Sequence, residues 1–194
     1  MQMKESQNMN TANTGDLEKL RYPVGKYIKP ENITSKHIEE WISVIELFPA
    51  RLREVMKDQG ETELNWRYRP GGWTIQQVVH HCADSHLNAL VRFKLALTED
   101  LPTIKPYLEA KWAELPDVSD ADVSDSIHIL EGLHPRWTKL LKSLGADDLK
   151  KEYFHPERNR NVSLEETVGL YAWHCNHHLA HIKQALKYKG RFDV

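Results

Sequence analysis

Apolar residues recur at helical spacing in four long stretches of this chain. From Ser35 to Gln59, residues Ile38, Trp41, Ile42, Ile45, Leu52, Val55 and Met56 share one face. Ser35 is the expected N-cap, Gly60 the stop, and Pro49 an expected kink. The second stretch follows "YRPGGWTIQQ". There Gly71 and Gly72 break the preceding segment, and Thr74 with Gln77 makes a capping-box pattern for a helix reaching Glu99. Residues 101–120 hold three prolines and read as a long connection with one short helix around Leu108 to Glu114. The third helix is expected over residues 122–144, kinked at Pro135 and stopped by Gly145. Residues 150–162, "KKEYFHPERNRNV", suit a short hairpin or an ordered loop. The fourth helix opens on a second capping-box pattern, Ser163 with Glu166, and ends before Gly190. Four amphipathic helices with almost no strand signal predict an all-α protein, an antiparallel four-helix bundle. Its long connection between the second and third helices departs from the simplest up-down form.

Residues 1–20 are polar and lack an apolar signal-peptide core, so they read as a flexible arm ahead of a single domain, residues 21–194. With 26 basic and 28 acidic side chains the formal net charge is −2, which argues against a nucleic-acid partner. No stretch approaches the roughly 18 apolar residues of a membrane span. Cys82 and Cys175 are the only cysteines, too few for a disulfide framework, so a reducing cytoplasm is the expected setting.

Candidate chemistry lies in the histidines, 11 in all. His174, His177, His178 and His181 fall on the fourth helix. Its apolar face is defined by Leu164, Val168, Tyr171, Cys175, Leu179, Ile182 and Leu186. At about 100° per residue, His178 lies beside the centre of that face, His174 at its edge and His181 just past it. His177 points to solvent. His174 and His178 are one turn apart, so their rings can share an ion. A catalytic zinc site needs a third ligand, and the second helix offers His80, His81 and His86 in "HHCADSH". Periodicity alone selects His86, at the centre of the apolar face. His81 lies on a flank with Ser85 and Arg92, and His80 on the opposite flank.

The motifs "GGWTIQQVVHHCADSH", "RFKLALTE", "KPYLEAKWAEL" and "GLYAWHCNHHLAHI" resemble the DinB-like superfamily. Within it they are most similar to the YfiT-like group, described as metal-dependent hydrolases and related to bacillithiol S-transferases. The resemblance runs from "YPVGKYIKP" to the end of the fourth helix. It implies a four-helix bundle, often a homodimer, with a three-histidine site for one divalent ion, zinc or nickel. Counting from Trp73 it selects His81, not His86, as the third ligand beside His174 and His178. Cys82 replaces the family's usual leucine or isoleucine. Both cysteines lie on apolar faces and read as buried structural thiols.

Three neutral imidazoles leave an ion its full charge and an exchangeable position. That suits hydrolysis of a small molecule. It equally suits transfer of a low-molecular-weight thiol to an electrophile, or a metal-binding role without turnover. No glutamate lies between His174 and His178, so a general base would come from elsewhere, with Asp84 and Glu157 as candidates. Arg92 could hold a substrate carboxylate and His155 could reach the bundle mouth. Trp66, Trp73, Trp112 and Trp173 could line a pocket.

Overall fold

The computed structural model describes residues 14–119 and 122–192. Four long helices carry the bundle: α2 (Ser35–Met56), α4 (Ile75–Thr98), α6 (Ser124–Lys142) and α8 (Leu164–Tyr188). Shorter helices surround them: α1 (Thr14–Arg21), α3 (Glu61–Leu64), α5 (Glu109–Trp112) and α7 (Ala146–Leu149). The four-helix bundle expected from the apolar pattern is present, with a two-stranded sheet added to it, and only two of its four neighbouring helix pairs run antiparallel as expected. Among the described residues, no helix is long and apolar enough to cross a membrane.

Caps decide where the long helices start. Thr34, one residue before the expected Ser35, caps α2. Its hydroxyl accepts from His37 N while His37 Nδ1 accepts from Thr34 N. Thr74 and Gln77 form the reciprocal capping box expected for α4. At α8 only half of the expected box forms. Ser163 accepts from Glu166 N, but the buried Glu166 carboxylate is taken by Arg160 and Lys29 instead. α2 runs on through Pro49 and α6 through Pro135.

α2 packs on α6 and α8, and α4 packs on the same two helices, so consecutive α2 and α4 sit across the bundle from one another. Side-chain pairs give the directions. Glu46 meets Lys142 and Arg53 meets Glu131, so α2 and α6 are antiparallel. Ser85 meets Tyr171 while His81 meets His178, so α4 and α8 are antiparallel too. By contrast, His80 lies against Ser126 and Phe93 against Trp137, which makes α4 and α6 parallel. Trp41 at Gly169 and Arg51 at Asn176 make α2 and α8 parallel. Parallel neighbours cannot be joined by a tight turn, which accounts for the long connection between α4 and α6. The core between the helices is apolar, with Ile45, Phe48, Leu52, Phe93, Leu130, Trp137, Val168 and Ile182 fully buried.

Of the two forms expected for residues 150–162, a short hairpin or an ordered loop, the hairpin is present: β1 (Glu152–His155) and β2 (Arg160–Ser163) are antiparallel from Glu152↔Ser163 to His155↔Arg160. Its turn places Asn159 in the left-handed region at φ 48°. β1 also holds the long connection: Phe154 N donates to Pro102 O and Ile104 N donates to Phe154 O. The expected arm, residues 1–20, differs at its end, where Thr14–Arg21 is helical. The last turn of α1 is tied down, with Gln184 Nε2 donating to Leu20 O and His181 Nε2 lying 3.0 Å from Arg21 O. The first thirteen residues of that expectation lie outside the described residues.

Candidate metal centre

The Thr74 cap fixes the start of α4 and so places His81 two turns into the helix. On α8, running the opposite way, His174 and His178 lie one turn apart. Packing of α4 on α8 brings the three together, each offering a ligand atom within 4.8 Å of the others. His81 Nε2 is 3.2 Å from His174 Nε2. His178 retains a buried Nδ1 with no hydrogen-bond partner. Burial lowers the His81 pKa to about 4, with repulsion from His177 adding to it. Burial also holds His174 and His178 well below the ordinary histidine value. All three therefore present neutral, lone-pair-bearing rings at neutral pH, which is the donor set a borderline-soft divalent ion takes. The residues fit such an ion.

These rings line a cavity of about 490 Å³ open to solvent. Arg92 and His155, the two secondary candidates, both line it, as does Glu157. His155 is held below the ordinary histidine value by burial and by the nearby Arg158 and Arg92. Two more cavity residues, Glu109 and Tyr107, are supplied by the long connection; they lie in the motif "KPYLEAKWAEL", but the sequence reading does not single them out as site residues. Burial raises the Glu109 carboxyl, outweighing the opposing pull of Arg92. Ser85, on the flank it shares with His81, places its hydroxyl 3.5 Å from His174 Nε2. Trp73 and Trp173 line the cavity, and the Trp73 ring packs on His81 at 4.8 Å between centroids. Trp112 packs on Tyr107 instead, and Trp66 lies against Gly190.

Three expectations are corrected here. His177 does not point to solvent: it is 6% exposed, stacked between Tyr22 and Trp173, because the segment after α1 covers that face of α8. His86, the choice of periodicity alone, is not one of the converging three. It is fully buried behind them, with Nε2 3.1 Å from His174 Nδ1. Asp84 faces a separate acidic recess with His80, Asp117 and Asp122, where burial and Asp117 raise its pKa to about 6. Cys82 and Cys175 are both fully buried, and burial pushes their thiols far from ionisation.

A sequence profile of the DinB superfamily matches residues 45–182. A Bacillus subtilis protein named "putative metal-dependent hydrolase YfiT" is 44% identical over 171 residues, 88% of this chain and 96% of that one. A Bacillus cereus (strain 03BB102) protein named "putative metal-dependent hydrolase" is 50% identical over 171 residues, 88% of this chain and 98% of its own. The solved structure of Bacillus subtilis YfiT, described as "a probable metal-dependent hydrolase with an unusual four-helix bundle topology", superposes with a TM-score of 0.85. That match covers 90% of this chain and 99% of that one. A profile match spanning most of the chain, close relatives over nearly their full length and a shared bundle together establish that this chain belongs to the DinB superfamily.

Proposed function

We propose that this chain is a metal-dependent hydrolase of small molecules, with His81, His174 and His178 holding one zinc or nickel ion. The observation that carries the reading is the convergence of three neutral imidazoles, His81 and His178 buried and His174 half-buried, at the wall of an open cavity. The relatives' names point the same way. When bound, the ion supplies a Lewis acid for polarising a scissile carbonyl and for acidifying water. The chain's own groups do the rest. Arg92 holds an anionic group of the substrate, since a guanidinium stays charged and offers paired donors. Glu109, whose carboxyl is held above its ordinary range by burial, takes up a proton at its carboxylate. Trp73 and Trp173 supply apolar walls beside the histidines. A second reading, transfer of a low-molecular-weight thiol, is favoured by one observation. The three neutral imidazoles face an open cavity, where an ion held by them would bind a thiol and keep it as the reactive thiolate.

The test is metal content of protein purified without an affinity tag, wild type beside His81→Ala and His178→Ala. The expected result is close to one zinc or nickel per chain, falling severalfold in both variants. Metal absent from the wild type, or unchanged in both variants, overturns the assignment. Loaded protein assayed on esters and amides, and separately on a thiol with an electrophile, decides between the two reactions.

A further inference from the structure

Behind His174 lies a line of buried histidines that ends on a backbone carbonyl. His174 Nδ1 is 3.1 Å from His86 Nε2, and His86 Nδ1 is 2.8 Å from His134 Nε2. His134 Nδ1 is 2.6 Å from the carbonyl oxygen of Ile45. His86 and His134 are 0% and 1% exposed, so the contacts between them exclude solvent. The three rings come from three helices, α8, α4 and α6, and the carbonyl from the fourth, α2. That carbonyl is available for a reason written in the sequence. Ile45 O would normally accept from the N–H four residues on, but that residue is Pro49, which has none.

We propose that His86 and His134, ending on the Ile45 carbonyl freed by Pro49, are positioning residues that set the tautomer of His174 and aim its bare Nε2 into the metal centre. A carbonyl oxygen only accepts, so His134 must carry its proton on Nδ1 and leave Nε2 as an acceptor. His86 then donates from Nδ1 and accepts at Nε2. His174 in turn donates from Nδ1. Three neutral rings bring three protons to three gaps; His134 Nε2 and His86 Nε2 each accept one of them, and His174 Nε2 is left bare at the end of the line. It faces His81 Nε2 at 3.2 Å and Ser85 Oγ at 3.5 Å. The opposite polarity would set the lone pair of His134 Nδ1 against that of Ile45 O at 2.6 Å, which is repulsive. Buried partners of this kind orient a ligand imidazole and raise its basicity. The proposal rests on the metal reading above.

Two measurements test it. Nitrogen-15 NMR of histidine-labelled, metal-free wild type reads the tautomers directly, with His174, His86 and His134 all expected as Nδ1–H. Zinc affinity by chelator competition is then compared in His134→Gln and His134→Leu. Glutamine can keep an acceptor oxygen toward His86, whereas leucine cannot. The leucine variant is expected to bind zinc about 10- to 100-fold more weakly and to lose the uniform His174 tautomer. The glutamine variant should stay near wild type in both. An Nε2–H tautomer at His174 in the wild type overturns the proposal, as do equal affinities in the two variants. If the leucine variant does not fold, the wild-type spectrum decides alone. Failure of the wild type to bind zinc would instead overturn the metal reading, while the spectrum would still decide the tautomer.

Discussion

A methyl group added at position 169 has no room. A Cβ there would lie 2.7 Å from the Tyr27 hydroxyl and 2.9 Å from two ring carbons of Trp41. The hydroxyl can swing aside at the cost of its 3.2 Å hydrogen bond to Glu166 O, but the indole ring is held on the core. Replacing a helical glycine by alanine gains about 1 kcal/mol of propensity, whereas overpacking costs about 1–3 kcal/mol. The clash wins. Gly169→Ala is expected to lower the urea midpoint by an amount equivalent to roughly 1 kcal/mol at an unchanged m-value. An unchanged or higher midpoint would show that the α2–α8 contact can spread without penalty. The same close packing shows why single residues were unequally readable. A helical wheel ranks residues by distance from the centre of the apolar face. A ligand must instead reach the cavity, and His178 does so from beside the centre of its own apolar face. The centre is where His86 lies, and the edge is where His81 and His174 lie.

At the scale of the element, the start of α4 bears on the site because His81 is counted from it. Thr74→Ala removes the hydroxyl that accepts from Gln77 N, while Thr74→Ser keeps it. The alanine variant should lose about 1 kcal/mol of stability and the serine variant only a small part of that. Thermal unfolding of the two side by side checks this, and equal melting temperatures would show that the cap contributes nothing. Caps and apolar spacing are local, which is why Thr74 with Gln77 and all four long helices could be read from the chain. What could not be read was supplied by other segments. His177 carries no mark of burial in its own helix, because its cover is Tyr22, far away in sequence. Glu109 and Tyr107 reach the cavity only because β1 holds the long connection in place. Glu166 looked like half of a capping box until Arg160 from the hairpin claimed its carboxylate.

For the whole molecule, so many neutral buried imidazoles set a pH limit. Burial lowers His81, His134 and His177 to about 4 and His181 to about 3. Their folded values lie below the ordinary value of about 6.5, so between pH 6.5 and 4 the unfolded chain holds protons that the native chain does not. Stability is therefore complete above about pH 6.5 and is lost as the pH falls, on the order of 3 kcal/mol for His134 alone. Metal-free protein should melt at a steady temperature from pH 7.5 to 6.5 and at progressively lower temperatures toward pH 4. A melting temperature that stays level to pH 5 would mean that the rings accept protons in place. The seam between α4 and α8 has one more consequence. Cys82 follows one candidate ligand and Cys175 another, and both thiols are fully buried. An oxidant in solution meets neither sulfur until the helices part, so sulfur damage beside the centre proceeds at the rate of seam opening and not at the intrinsic rate of thiol oxidation. Any ion that clamps His81 to His174 and His178 slows that opening, and with it the ageing of the protein.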